Sequence, residues 1–141
     1  MSWIVANISR LMIVSGTVTL TMVYAAIAPE AALQSTFGES LSGPVASIVV
    51  RNWGALIALV GAMLIYSARN PAVRPFSLVI AGASKVIFIV LVLAYGTRFL
   101  AYQAGIAVLV DGVWVVLFAA YLVSLRRAPG ANLNAAAART L

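Results

Sequence analysis

Four apolar runs, each long enough to cross a lipid bilayer, decide what this chain can fold into. They lie at about 11–28, 45–68, 76–97 and 104–125, and every proline and all but three of the charged residues fall outside them. A membrane-crossing helix needs about 20 mainly apolar residues, so four such helices use most of the 141-residue chain. Composition agrees: 64% of residues are hydrophobic and 9% charged, against roughly 25% charged in soluble domains. The predicted fold is all-α, an integral membrane four-helix transmembrane bundle forming one domain over 1–127. Residues 128–141, with Pro129-Gly130 and an alanine run, are predicted to be a disordered cytoplasmic tail.

The connections carry the topology. Residues 1–10 lack the layout of a signal peptide and are read as retained, with Trp3, Ile4 and Ile8 spaced as an interfacial helical face and Arg10 marking the membrane surface. Ser15, Thr17, Thr19 and Thr21 lie inside the first run, where their hydroxyls can bond back to the preceding turn. Pro29-Glu30 opens a short interfacial helix between spans one and two whose Leu33 and Phe37 are expected to dip into the bilayer surface, and Gly38 can close it in the left-handed conformation. Arg69-Asn70-Pro71 to Arg74-Pro75 forms a tight polar turn, since the two prolines forbid a continuous helix. Tyr95, Phe99 and Tyr102 suit an interfacial aromatic belt around the last turn. With the N-terminus in the cytoplasm, Arg10, Arg69, Arg74, Arg126, Arg127 and Arg139 share that side and leave Glu30, Glu39 and Arg98 outside. The positive-inside rule favours this orientation, with both termini cytoplasmic.

What the residues exclude is equally informative. A net charge of +6 is of the sign that nucleic acid attracts, but the cations are too dispersed for a phosphate-tracking patch. Cysteine and histidine are both absent. Disulfides, thiolate nucleophiles, His-ligated haem, Cys/His zinc sites and Ser-His-Asp catalysis are therefore excluded. No metal site and no catalytic constellation is expected, and the chain by itself is not read as an enzyme.

The remaining chemistry lies in the three ionisable residues inside the runs: Arg51, Lys85 and Asp111. Counting a rise of 1.5 Å per residue from the predicted outer helix ends puts Arg51 about 10 Å deep, Asp111 about 12 Å and Lys85 about 18 Å. Long side chains could then bring both cations to the Asp111 carboxylate, with Asn52, Trp53 and Trp114 beside them. On α-helical spacing Arg51 shares a face with Gly54, Ala55, Ala58 and Ala62, a smooth stripe suited to close helix packing. Gly54 with Gly61, and Gly105 with Gly112 and Ala119, form further ladders at seven-residue spacing. Two readings of the trio stand side by side. In one, Asp111 pairs with Arg51 as a clasp that fixes helix register. In the other, two bases against one acid form a site for the head of an anionic or carbonyl-bearing amphiphile, a lipid or a quinone. Such a protein would be a binding or accessory subunit contacting membrane lipids, other membrane subunits or further copies of itself; a compact oligomeric transporter or channel is the alternative.

The runs Ala28-Pro29-Glu30-Ala31-Ala32-Leu33 and Val50-Arg51-Asn52-Trp53-Gly54-Ala55, the Arg69-Asn70-Pro71 to Arg74 turn, Lys85 with Phe88, and Asp111 resemble the small bacterial four-span proteins grouped as DoxX-like. The resemblance covers residues 10–125. It implies a four-helix bundle in a bacterial inner membrane and, through some relatives, a membrane subunit of a quinone-linked oxidoreductase. It implies no catalytic residue for this chain.

Overall fold

The computed structural model describes residues 2–127; the tail expected at 128–141 lies outside the described residues. Every element among them is helical: α1 (Ser2–Leu20), α2 (Val23–Ile27), α3 (Pro29–Phe37), α4 (Pro44–Arg69), α5 (Arg74–Tyr95), a 3-10 turn (Thr97–Ala101) and α6 (Gln103–Arg127). Four helices, counting α1 and α2 as one, are long and apolar enough to cross a membrane, at 25, 26, 22 and 25 residues.

The first helix differs from its predicted bounds at both ends. It begins at Ser2 because nothing in residues 2–10 breaks it, and Asn7 Nδ2 donates back to the Trp3 carbonyl. Near its far end the helical ladder is disturbed. Thr21 Oγ1 donates to the Val18 carbonyl at 2.6 Å, while the Thr21 amide divides between the carbonyls of Thr17 and Val18, each at 3.3 Å. Back-bonding hydroxyls bend helices in this way, and α2 resumes after the break.

Chain punctuation works as its residues dictate. Pro29 occupies the first turn of α3, and Gly38 ends it at φ 70°, a left-handed conformation that favours glycine. At the other end of the bundle, Arg74 Nη2 donates to the Ala68 carbonyl at 2.9 Å and to Ser9 Oγ at 3.0 Å, tying the end of α4 to α1.

The four long helices pack in the cyclic order α1, α4, α5, α6, and the α1/α6 seam is the least extensive of the four contacts. The α1/α4 seam is the tightest. A Cβ added to Gly16 would lie 2.8 Å from the Gly61 carbonyl oxygen, and one added to Gly61 would lie 2.6 Å from the Leu20 amide nitrogen. Gly54 meets Ala25 and Ala26 of α2 in the same manner. The buried stripe of α4 therefore runs through Val50, Gly54, Ala58, Gly61, Leu64 and Ala68. Ala55 and Ala62, expected on the packed face, are exposed. Backbone contact at the two glycines rotates the helix away from the face that Arg51 defines. On α6, Gly105 packs against the Leu100 carbonyl, but Gly112 has nothing within 4 Å and Ala119 is exposed.

Two cores result. At the end rich in arginine, Ile8, Met12, Leu64, Leu78, Ala81, Phe118 and Tyr121 form a dry cluster. At the end bearing α3, Ala25, Ala32, Leu33 and Val50 form a smaller one, with Phe37 and Trp53 packed on it, so Leu33 and Phe37 turn into the bundle and not toward the bilayer surface as expected. Between them lies the polar site.

Candidate functional site

Lys85 and Asp111 meet because α5 and α6 are antiparallel neighbours joined by a short turn. Lys85 is ten residues before Tyr95, about 15 Å along the helix, and Asp111 is eight residues after Gln103, about 12 Å, so the two stand near one level. Lys85 Nζ contacts Asp111 Oδ1 at 2.5 Å, with the two side chains 9% and 19% exposed. Thr19 Oγ1 of α1 accepts a second, longer bond from the same ammonium at 3.4 Å. An ammonium has three donors and a carboxylate two oxygens. Among the described residues these contacts leave one lysine proton and one aspartate oxygen for another molecule.

The pair sits at the deep end of a cavity of about 400 Å³. Trp53, Ile57 and Val60 of α4 and Phe88 of α5 supply apolar walls, Ser84 stands beside Lys85, and Thr36 and Gln103 face the cavity at its α3 end. A mainly apolar pocket with a few convergent polar groups is the usual form of a small-molecule site. Toward the arginine-rich end the space stops at the dry cluster.

Of the other predicted site residues, Trp53 shares the cavity with the pair, and Arg51, Asn52 and Trp114 stand apart from it. Arg51 is exposed, and its Nη1 donates to the carbonyls of Ala26 at 2.6 Å and Ile27 at 3.1 Å, while Nε donates to Ser47 Oγ at 3.3 Å. It satisfies carbonyls that the end of α2 leaves without helical partners. The clasp therefore joins Asp111 to Lys85, and Arg51 takes no part in it. Asn52 is exposed. Trp114 packs against the dry cluster with its ring 6.0 Å from that of Phe118, away from the cavity lining. Trp53 lines the cavity and holds its ring 6.3 Å from Phe37.

Removing Arg51 from the site changes its electrostatics. One lysine against one aspartate is a neutral pair, so no surplus positive charge remains to hold an anion. Thr19 is the polar partner that sequence reasoning missed, because a hydroxyl inside a helix is normally explained by back-bonding. Its signal was present in the spacing of Ile8, Met12, Ser15 and Thr19, the buried face of α1. Ser15 Oγ, buried one turn along that face, has no hydrogen-bond partner among the described residues. Also among them, no three His, Cys, Asp or Glu residues come together as a metal site. Compared with known proteins, the chain matches no family, no curated protein and no solved structure.

Proposed function

We propose that this chain is a multi-pass protein of a bacterial inner membrane, with both termini in the cytoplasm, that acts as a non-catalytic binding or accessory subunit. It holds the polar head of a membrane amphiphile, quinone-like or lipid, against Lys85 and Asp111. The observation that carries this reading is the placement of the only ion pair between long helices, among the described residues, at the deep end of a 400 Å³ apolar cavity. A register clasp alone needs no such space. The neutral pair with one free donor and one free acceptor favours an uncharged head bearing carbonyl or hydroxyl groups over an anion.

The membrane setting rests on the four long apolar helices and on the exterior, where Ile48, Leu59 and Leu109 are each about two-thirds or more exposed. Soluble monomers rarely present such surfaces. Orientation rests on Arg10, Arg69, Arg74, Arg126 and Arg127 at one end against Glu30, Glu39 and Arg98 at the other. The dry cluster of Met12, Leu64, Leu78 and Phe118 weighs against a pore through a single copy.

Native mass spectrometry of protein extracted in a mild detergent tests the reading. A co-purifying neutral amphiphile is expected on wild type and is lost from the Lys85→Met/Asp111→Leu variant, which removes both charges together. Wild-type protein free of any amphiphile, or equal loading of both proteins, would refute it.

A further inference from the structure

We infer that the cavity is filled sideways from the bilayer, through the seam between α1 and α6, and that this seam seats the hydrocarbon tail of the amphiphile whose head reaches Lys85 and Asp111. The inference rests on the binding role proposed above and adds the route, the tail subsite and the source of the ligand.

Two of the three routes into the cavity are closed. At the arginine-rich end Met12, Leu64, Leu78 and Phe118 are each no more than 1% exposed and fill the bundle axis. At the opposite end α3 and the 3-10 turn form a cover. Phe37 lies with its ring 6.3 Å from Trp53 and 5.4 Å, edge-on, from Phe99. Gly38 abuts the Tyr102 ring, which a Cβ there would displace, and Glu39 Oε1 accepts from Arg98 Nη2 at 2.9 Å. Thr36, on the same helix as Phe37, faces the space beneath.

The third route is open. Among the residues that line the cavity, the exposed ones are Val18, Thr21, Gln103, Ile106 and Val110. All five belong to α1, the break that follows it, or α6; the lining residues of α4 and α5 are buried or half-buried. The mouth is therefore a slot between α1 and α6, the pair of neighbouring long helices with the least extensive contact. Its lower part is aliphatic: Val18, Ile106 and Val110 are 51%, 66% and 38% exposed. Thr21 and Gln103 stand at its α3 end. A slot of this chemistry admits a hydrocarbon chain and disfavours water and ions. The break at Thr21-Met22 lies beside it, so α1 is least reinforced by its own ladder where the slot must widen. The ligand is then a molecule dissolved in the bilayer, with a neutral carbonyl-bearing head and a hydrocarbon tail.

Trp53 provides the readout. In a Trp3→Phe/Trp114→Phe background it is the remaining tryptophan, and its emission is followed by stopped flow in liposomes on mixing with decylubiquinone. Saturable quenching is expected. Val18→Phe/Val110→Phe, which narrows the slot, should slow the approach to saturation at least tenfold, whereas Glu39→Gln, which loosens the cover, should leave the rate unchanged. Ile106→Phe serves as a second slot variant should the double variant melt early. A saturable but unslowed response in a folded slot variant, or faster quenching in Glu39→Gln, overturns the sideways route and leaves the binding role standing. Titration with monoolein separates the sources: competition with decylubiquinone assigns shared head chemistry to an acylglycerol as well, and absence of competition assigns the site to a quinone-type ring. Purely collisional quenching, together with no response to monoolein, overturns both the route and the binding role.

Discussion

Neutralising Asp111 should destabilise the bundle far more than its partial exposure suggests. Lys85 is 8% exposed, and Asp111→Asn takes away the charge that its ammonium meets at 2.5 Å, leaving Thr19 Oγ1 at 3.4 Å. Breaking a buried ion pair from one side costs about 3–5 kcal/mol, because the surviving charge keeps its desolvation penalty without its partner. The adjoining cavity can lend some hydration, which places Asp111→Asn at the lower end, about 3 kcal/mol. Lys85→Met leaves the carboxylate, the more exposed partner, and should cost about 2 kcal/mol, below the roughly 2.5–3.5 kcal/mol of a charge at a helix centre because the cavity lends it hydration. With both changes no charge remains, and the residual cost is that of a poorly partnered amide, about 2 kcal/mol. The double-mutant cycle should therefore give a coupling energy of about 3 kcal/mol. Unfolding in mixed dodecyl maltoside and SDS micelles, followed by circular dichroism, measures all four proteins. Additivity of the two single changes to within about 0.5 kcal/mol would mean that the pair does not hold the helices, and the reasoning from its burial would be refuted.

Arg51→Ala should cost about 1 kcal/mol in the same unfolding assay, because an exposed guanidinium loses much of what a charged hydrogen bond contributes when buried; it should leave co-purified amphiphile unchanged, since Arg51 stands apart from the cavity. Gly61→Ala forces a methyl to 2.6 Å from the Leu20 amide and should destabilise by about 2 kcal/mol, whereas Gly112→Ala meets nothing within 4 Å and should be neutral or stabilising by up to about 1 kcal/mol. Melting temperatures read by circular dichroism would expose the contrast, and similar shifts for the two glycines would contradict the packing described for α4. Glu39 and Arg98, with side chains 54% and 71% exposed, should show a coupling of no more than about 0.5 kcal/mol that falls in 0.5 M salt.

Hydropathy and punctuation made most of the architecture legible. The four long helices follow from runs of apolar residues free of proline, and α3 follows from Pro29 and Gly38, whose roles are local and need no tertiary information. Helix rotation was less accessible. Both Arg51 and the seven-residue glycine ladder offered a packed face for α4, and only the fit of Gly61 against Gly16 and of Gly54 against Ala25 decides between them. The partition of charges was hidden for a related reason. Helical rise places residues by depth within one helix, and it says nothing of how far one helix projects past its neighbour. α4 starts at Pro44 and its first turns run alongside α3, beyond the end of α2, so Arg51 stands at the level of Ala26 and Ile27 and not at that of Asp111.

That difference in level explains why two cations in similar apolar runs have different partners. At the end of a helix the last carbonyls lack intrahelical donors, so a guanidinium with several donors finds acceptors in the backbone itself. Halfway along a bundle every carbonyl is already engaged in its own helix, and a cation there must be met by a side chain. Lys85 has Asp111 and Thr19, and nothing in the backbone could replace them. The pairing at Arg51 thus follows from geometry that any helix end supplies. The pairing at Lys85 required a carboxylate at one particular position in α6, beside a space that helix packing alone would have filled. A ligand site gives that space a reason, and the charge-free variant that keeps the bundle while losing the amphiphile would separate the two roles.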